Sequence, residues 1–456
     1  MSRPGRVRHL LFIHTAGDPR PYVSRLRELG FRSSLIKKRP TAEDRACFAR
    51  VVDLDYQESL VRALDCAAQL HVRDPVDGVL SFSESGVIAA SMVAAHLGLP
   101  GNPPRAALRA RNKYLMRQAL REAGLVCPPF HLVRGAGEVS RILERAGRPM
   151  VLKPISGSSS YGVVRLDPGE PAGQIAAHMD AVRRYIVTYA EENPQYPFEF
   201  WLPEAGHGIP PEDVYRPDEV FLLEGFIPGQ QVSVDGVVCG QDVSCLGAIE
   251  IERIRDTDYF LEYEEWMPTR LGREREAQIH AVVRRAVQAL GLTCSCFHCE
   301  LKVSAQEIAV LEIAARRGAD NISDFLRRLL GVDIYAEGAR VACGERRSHH
   351  GLPYRGGMKM RYFIPPRSGI LRGTQGLEEV RTDPRVCEVD LEFSPGDRVL
   401  TPPDGFEFLG YVSVIGSTLG EAEAALEEVY PRVRFEIDPE PQAAADRQQA
   451  VEAYAP

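Results

Sequence analysis

Several features that would assign this chain to a broad class of protein are missing from it. No apolar run approaches the roughly 20 residues that a membrane-spanning helix needs. The net charge of -8 does not supply the basic face on which nucleic-acid binding depends. The ten cysteines are scattered without a framework spacing, which is typical of reduced thiols. We therefore expect a cytoplasmic protein that acts on small molecules and has neither a nucleic-acid nor a membrane partner.

The chain also lacks the short motifs of several common enzyme classes. GxxxxGK[ST], GxSxG, HExxH and the protein-kinase motif set are all absent. Cys294, Cys296, His298 and Cys299 lie close enough in sequence to suggest a zinc site. On a strand, however, Cys299 points away from the other three side chains, so the four cannot close a tetrahedron. We interpret these cysteines as buried structural residues.

A pair of glutamates is the strongest positive signal. Alternation places His298, Glu300 and Lys302 on one face of a strand that ends at a short polar break. The same alternation gives the next strand a face made of Val310, Glu312, Ala314 and Arg316. If the two strands form a hairpin, Glu300 and Glu312 face each other with Cβ atoms about 4.5–5.5 Å apart. Like charges at that distance are destabilising, so the pair predicts a shared proton or a hard cation.

Oxygen ligands that leave coordination positions open for phosphate are typical of Mg²⁺, with Mn²⁺ as a substitute. The alternative is a pair of solvated carboxylates on an exposed sheet face.

A lysine followed by a run of small residues is the second signal. Lys153 shares a strand face with Val151 and Ile155, and a lysine among apolar neighbours needs an anion to offset its desolvation. The run Gly157-Ser158-Ser159-Ser160-Tyr161-Gly162 follows it, and its N–H and hydroxyl groups can wrap phosphate oxygens. The alternative is an ordinary hairpin loop with a surface lysine.

Composition divides the chain into a multidomain α/β and α+β protein. Residues 1–105 alternate short apolar strands with helical patterns, which predicts a Rossmann-like α/β unit with a parallel sheet. A second unit covers 106–345, where Asn112 is the predicted N-cap of a helix and 185–217 looks like an insertion or mobile loop. Residues 346–437 form a predicted α+β extension, and 438–456 a disordered tail.

Five segments together resemble a known family. NKYLMRQAL, VLKPISGSSSYGV, LLEGFIPG, HCELK and LEIAARRGADN occur in the order found in the ATP-grasp carboxylate–amine ligases. The resemblance runs from about Asp77 to about Ile437, and the EIAARRG, KMRYFIPP and GDRV…GYV segments look like the L-amino-acid (dipeptide) ligases. It implies an ATP-grasp fold in which 106–345 is a two-lobed ATP-binding unit. It also implies that ATP phosphorylates a substrate carboxylate, with Mg²⁺ as the metal, before an amine displaces phosphate.

The resemblance implies a nucleotide site made of Lys113, Lys153, Gly157, Ser158, Ser159, Ser160, Gly162, Glu224, Gly225, Phe226, Ile227 and Gln231. In this set the two lysines bind phosphate, the glycine-rich loop covers the triphosphate, and the backbone of 224–227 reads adenine. Gln231 stands where most members have the glutamate that binds the ribose hydroxyls, so we expect weaker but retained ATP binding.

The resemblance further assigns the metal to Glu300 and Glu312 and catalytic roles to Arg316, His298 and Lys153. The implied substrate-binding residues are Glu84, Glu265, Arg316, Gly318 and Asp320. Glu84 would face a substrate amino group; alternatively, it is a carboxylate that complements a helix N-terminus. If the three acidic residues of this set, Glu84, Glu265 and Asp320, share one pocket, their negative charge suggests a cationic substrate.

The sequence thus predicts an ATP-dependent ligase that joins an amino acid carboxylate to an amine, most simply a second amino acid. It releases ADP and phosphate and is compatible with a homodimer. One alternative is a bicarbonate- or formate-activating enzyme of the biotin-carboxylase or purine-pathway type, which has no amino group for Glu84 to bind. Another is a non-catalytic ATP-binding module, suggested by Gln231 and by Ala314, a position where many members have a metal-binding Asn.

Overall fold

The computed structural model describes residues 7–158, 160–192, 200–253, 262–319, 321–401 and 408–439, with the side chains of 190–192 left out. The first unit of the fold is a parallel sheet covered by helices. Its elements are β1 (Arg8–Ile13), α1 (Arg20–Glu28), β2 (Phe31–Lys37), α2 (Ala42–Cys47), β3 (Arg50–Asp53), α3 (Leu60–Arg73), β4 (Gly78–Leu80) and α4 (Val87–Leu97). The strand order is β3-β2-β1-β4 and every pairing is parallel, as the alternating pattern predicts. A short 3₁₀ turn, Glu84–Gly86, connects the end of β4 to α4.

Two helices lead from this unit into a small antiparallel lobe. The elements are α5 (Pro104–Arg111), α6 (Lys113–Glu122), β5 (Phe130–Val133), α7 (Ala136–Ala146), β6 (Met150–Pro154), β7 (Val164–Leu166), α8 (Ala172–Glu192) and β8 (Phe221–Gly225). The lobe sheet has the order β5-β8-β6-β7. The expected N-cap of α6 is confirmed, because the Asn112 side chain accepts hydrogen bonds from the N–H groups of Tyr114 and Leu115. The predicted loop 185–217 is in part wrong, since its first residues complete the long helix α8.

A large antiparallel sheet forms the body of the protein. Its first part contains β9 (Gln230–Cys239), β10 (Asp242–Arg253), β11 (Glu262–Met267), α9 (Gly272–Leu290), β12 (Cys294–Val303), β13 (Ile308–Ala314), α10 (Ile322–Phe325) and α11 (Ile334–Ala342). The C-terminal part contains β14 (Gly357–Phe363), β15 (Gly369–Gln375), α12 (Leu377–Arg381), β16 (Val386–Leu391), β17 (Arg398–Val399), β18 (Gly410–Gly416), α13 (Leu419–Val429) and β19 (Arg434–Asp438).

This sheet crosses the predicted boundary near residue 345. Its order is β13-β12-β9-β10-β11-β14-β18-β16, so three C-terminal strands extend the sheet that carries the glutamate pair. The remaining strands make a separate small sheet, β17-β15-β19. The predicted tail 438–456 is wrong at its first residue, because Asp438 belongs to β19, and 440–456 lie outside the described residues.

The two faces of the large sheet have different environments. Phe297, Cys299 and Leu301 of β12 lie in one core cluster with residues of α9 such as Ile279 and Val283. The opposite face carries the polar residues of the hairpin, and farther along the sheet it packs against α10. The hydrophobic core therefore fixes which face is left for chemistry. In the described parts of the chain, no helix is long and apolar enough to cross a membrane.

Candidate active site

The predicted glutamate pair is confirmed by the strand register. β12 and β13 are antiparallel neighbours, and Glu300 lies directly opposite Glu312. Their side chains keep 31% and 27% of their surface exposed, so both carboxylates can reach a ligand from solvent.

The predicted alternation in the second strand is wrong on one side of this pair. The register shifts between Glu300 and Leu301, so that Leu301 pairs with Val310 and Leu311 is an extra residue. Such a bulge reverses the alternation beyond it. Val310 is accordingly buried in the same core cluster as Leu301 instead of sharing a face with Glu312.

Lys113 connects the glutamate pair to the glycine-rich loop. It is the first residue of α6, and its ammonium donates to the carbonyl of Gly157 at 2.8 Å. The same Nζ lies 3.0 Å from Oε1 of Glu312. One ammonium is therefore placed between the predicted phosphate loop and a predicted metal-binding carboxylate.

The second predicted lysine, Lys153, belongs to a buried trio of charged side chains. Lys153 Nζ lies 2.5 Å from Glu224 Oε1, and Arg117 Nε lies 2.7 Å from Glu224 Oε2. Burial alone would raise the pKa of Glu224, but Arg117 and Lys153 outweigh it and lower this pKa to about 2. The anion that Lys153 requires is thus supplied by the protein itself. The sequence reasoning missed Arg117, although an arginine between the apolar residues of an amphipathic helix was a usable signal.

The predicted adenine hinge has two of its N–H groups engaged within the protein, and its role stays a prediction. Glu224 is part of β8 and its carboxylate serves the charge trio. The N–H of Gly225 donates to the carbonyl of Pro129 at 2.9 Å, and the N–H of Phe226 to that of Pro149 at 3.2 Å. An adenine ring at this hinge would therefore form its hydrogen bonds with backbone carbonyls or with the backbone of Ile227, and not with these two N–H groups.

Three described residues of the glycine-rich loop have a positive φ. Gly157, Ser160 and Gly162 have φ values of 112°, 55° and 68°. Successive N–H groups in left-handed and turn conformations converge on one side and can bind an anion. Ser158 belongs to the described part of this loop, whereas Ser159 lies outside the described residues.

Glu84 is paired within the protein. Arg111 Nη1 lies 2.9 Å from Glu84 Oε1, and Arg316 Nε lies 2.6 Å from Glu84 Oε2. Burial would raise the pKa of this carboxyl, yet Arg316 and Arg111 lower it to about 2. Arg111, which the sequence reasoning missed, also donates to Ser156 Oγ at 3.3 Å. Each oxygen of the Glu84 carboxylate is thus engaged by a guanidinium group, and its role towards a substrate amino group stays a prediction.

His298 is held by an aspartate on the neighbouring strand. His298 Nδ1 lies 2.8 Å from Asp235 Oδ2, and His298 Nε2 lies 3.6 Å from Glu300 Oε1. Burial would lower the pKa of His298, but Asp235 and Glu300 outweigh it and raise this pKa to about 10. The N–H of Gly318 donates to Asp235 Oδ1 at 2.6 Å. A Cβ at Gly318 would lie 2.9 Å from His298 Nδ1, so this glycine is needed for the close approach.

Asp235 is the third residue that the sequence reasoning missed. An acidic residue inside the apolar run VSVDGVV was the available signal, because a carboxylate in a buried strand is stable only if a hydrogen-bonding or cationic partner lies beside it.

The other predicted residues spread along the same sheet face. Gln231 donates its amide N–H to Glu262 Oε1 at 2.7 Å and to Glu300 Oε2 at 3.3 Å, while its carbonyl accepts from Arg253. Because this amide is already engaged, its ribose role stays a prediction. Glu265 is buried in the same row, since Ile251 pairs with both Gln231 and Glu265. Asp320 lies outside the described residues.

The donor chemistry fits Mg²⁺. Glu300 and Glu312 offer carboxylate oxygens from one face, which are the ligands this ion prefers. In the residues that the structure describes, no group of three or more His, Cys, Asp or Glu side chains is arranged as a metal site. The two glutamates would thus hold a divalent ion whose remaining positions are filled by phosphate oxygens and water.

Three family models match separate segments of the chain. Residues 27–101 match an ATP-grasp N-terminal domain, 209–324 match an ATP-grasp domain, and 361–438 match the L-amino acid ligase C-terminal domain 2.

Several proteins are similar over longer stretches. An uncharacterized protein, y4rH, of Sinorhizobium fredii is 24% identical over 94% of this chain and 83% of its own length. Carnosine synthase 1 of Mus musculus is 27% identical over 59% of the chain. Alanine–anticapsin ligase of Bacillus subtilis is 24% identical over 57% of the chain. The matches cover 31% of the carnosine synthase and 52% of the anticapsin ligase, so the chain spans only part of these two relatives.

Among solved structures, the L-amino acid ligase from Bacillus licheniformis aligns with 95% of this chain and 99% of its own, at 21% identity and a TM-score of 0.79. This likeness confirms the expected multidomain fold. Taken with the three family models, it shows that the chain contains ATP-grasp domains and is similar to the amino acid ligases in fold and in its C-terminal segment.

Proposed function

We propose that this protein joins the carboxylate of an amino acid to an amine, most simply that of a second amino acid, through an acyl phosphate. In the first step a carboxylate oxygen attacks the γ-phosphorus of ATP and the bond to ADP breaks. In the second step the amine nitrogen attacks the carbonyl carbon, and phosphate leaves with the former carboxylate oxygen. The proton lost from the amine passes to solvent.

One observation supports this proposal above the others. The ammonium of Lys113 contacts both the glycine-rich loop, at Gly157, and the carboxylate of Glu312 opposite Glu300. Proteins catalyse phosphoryl transfer mainly by positioning the reactants and neutralising charge, with little covalent chemistry of their own. Positive charge beside a loop of small residues with positive φ, with two carboxylates able to hold Mg²⁺, supports that demand being met here.

The remaining side chains support the reaction in defined ways. A magnesium ion bound by Glu300 and Glu312 would neutralise phosphate charge. Lys113 and Lys153 would bind the triphosphate in competition with their carboxylate partners, and Arg316, which is paired with Glu84, would bind the transferred phosphoryl group in the same way. His298, fixed by Asp235, holds the Glu300 side chain in position.

Glu84 no longer argues by itself against the bicarbonate alternative, because its negative charge is balanced by two arginines. The preference for an amino acid now depends on the C-terminal segment, which matches the L-amino acid ligase model over 361–438. The cationic-substrate hypothesis is weakened in the same way, since Glu84 contributes no surplus negative charge.

The test is a screen of amino acid pairs with ATP and Mg²⁺, read by phosphate release and by mass spectrometry of products. A substrate labelled with ¹⁸O in its carboxylate should deliver one labelled oxygen to the released phosphate. Unlabelled phosphate, or AMP as the stoichiometric product, would reject the acyl-phosphate route. Phosphate release with bicarbonate and with no amino acid would favour the alternative.

A further inference from the structure

The segment 200–215, between α8 and β8, is firmly attached to the helices of the body. Arg105 Nε of α5 lies 2.6 Å from Oδ2 of the buried Asp213. The ring of Tyr215 lies 5.6 Å from that of Tyr114 in α6, in an edge-on arrangement. Ile209 is buried in the large core cluster. This segment, which belongs to the stretch 185–217 predicted as an insertion or mobile loop, is therefore packed against the rest of the structure.

Its first residue contacts the glycine-rich loop. Phe200 is buried, and a Cβ added to Gly157 would lie 2.4 Å from Phe200 Cε1. The Phe200 ring also packs edge-on against Tyr189 of α8, at 5.1 Å between centroids. The absence of a side chain at Gly157 thus allows the Phe200 ring to lie directly against the backbone of the loop.

The next residue contacts the opposite side of the site. The ring of Trp201 lies 5.5 Å from that of the fully buried Tyr56, at an interplanar angle of 73°. The hydroxyl of Tyr56 donates to the carbonyl of Ser85 at 2.7 Å. Ser85 is the neighbour of Glu84 in the 3₁₀ turn that positions Arg316.

Two adjacent residues therefore connect the phosphate loop to the turn that carries Glu84. Because Phe200 and Trp201 are bonded neighbours whose rings both pack against other side chains, a displacement of Phe200 by the loop would disturb the packing of Trp201 on Tyr56. Packed side chains of this kind have a few discrete arrangements and do not deform continuously.

We propose that Phe200 and Trp201 are positioning residues that couple nucleotide binding at the Gly157 loop to the order of the Ser83–Gly86 turn. The inference depends on the proposed function, because it takes the loop to bind phosphate and the turn to orient Arg316 at the reaction site. Binding of a nucleotide would hold the loop against Phe200, and Trp201 would then hold the turn through Tyr56.

Hydrogen–deuterium exchange with Mg²⁺–ADP tests the coupling without any turnover. In the wild type, we expect the nucleotide to slow exchange at Ser83–Gly86 by about threefold or more. Trp201→Ala should abolish this slowing while retaining nucleotide binding. Tyr215→Ala is the matched control, because it removes an aromatic ring from the same segment that packs against Tyr114 of α6.

A milder variant protects the test against a folding defect. Tyr56→Phe removes only the hydroxyl that binds the Ser85 carbonyl, and we expect it to reduce the slowing while the melting temperature stays near that of the wild type.

Fluorescence reports the loop end of the connection. The chain has two tryptophans, so Trp266→Phe leaves Trp201 as the sole emitter. Its emission should change as Mg²⁺–ADP binds, as followed in parallel by calorimetry.

The outcomes separate this inference from the proposed function. Nucleotide binding without slowed exchange at Ser83–Gly86, or equal slowing in Trp201→Ala, overturns the coupling alone. Failure of Mg²⁺–ADP to bind the wild type at all overturns both the coupling and the proposed function.

Discussion

The ammonium of Lys113 lies 3.0 Å from the carboxylate of Glu312, although the two groups are assigned to opposite partners, phosphate and a divalent cation. The pairing has a simple electrostatic reason. Each group is partly desolvated, and an ion pair offsets that cost until stronger ligands compete for both. Nucleotide and metal would therefore bind together. Phosphate would bind Lys113 and release Glu312 for the metal, and the metal would bind Glu312 and release Lys113 for phosphate.

Replacing Glu312 with Gln should lower turnover by about 100-fold or more, because half of the paired negative charge that holds the divalent ion is lost. The measurement is phosphate release at saturating ATP. Glu307→Gln, an exposed carboxylate in the turn of the same hairpin, is the control. Near-normal turnover in Glu312→Gln would remove this residue from the metal site.

Replacing Arg117 with Met should destabilise the fold by about 3–5 kcal/mol, since a fully buried partner of Glu224 is removed. Denaturant unfolding measures the change. Arg121→Met, on an exposed part of the same helix, should cost far less. The double variant Arg117→Met/Glu224→Gln should be less unstable than the sum of the single changes, and simple additivity would contradict the proposed charge trio.

Acid stability should depend on Glu337, which lies away from the site. His349 and Arg347 outweigh the effect of burial and lower the pKa of Glu337 to about 2, from an ordinary value of 4.5. A lowered folded-state pKa contributes stability that is complete above the unfolded pKa and is lost as the pH falls towards the folded pKa.

The wild type should accordingly lose on the order of 1–3 kcal/mol more than Glu337→Gln as the pH falls from about 5 towards about 2. Unfolding by urea at stepped pH values is the measurement. Parallel pH profiles for the two proteins would refute the assignment.

Replacing Gly157 with Ala should weaken Mg²⁺–ADP binding by about tenfold, or about 1.4 kcal/mol, because the new Cβ displaces the loop from Phe200. Gly169→Ala is the control, since Gly169 also has a positive φ of 94° but nothing lies within 4 Å of its added Cβ. Calorimetry with both variants separates the clash from the backbone strain. Equal affinities would show that the contact with Phe200 does not shape the loop.

The sequence by itself determined the local parts of this site. Alternation and a short polar break sufficed to place Glu300 opposite Glu312, because a hairpin brings together residues that are close in the chain. Asn112 as an N-cap is likewise a local effect, and it fixes Lys113 at the start of α6. The bulge at Leu311 left no local signal, so strict alternation failed beyond it.

Only the tertiary structure decided which charges meet. Arg117 and Glu224 are 107 residues apart, and Asp235 and His298 are 63 apart. Each of these pairs depends on how separate elements pack, and no periodicity in the sequence encodes that choice. The fate of Glu84 is the clearest case: as a residue in a sequence it was free to bind a substrate amine, whereas in the fold Arg111 and Arg316 take both of its oxygens. Burial makes an unpaired charge costly, so the packing of helices and sheet selects the partners.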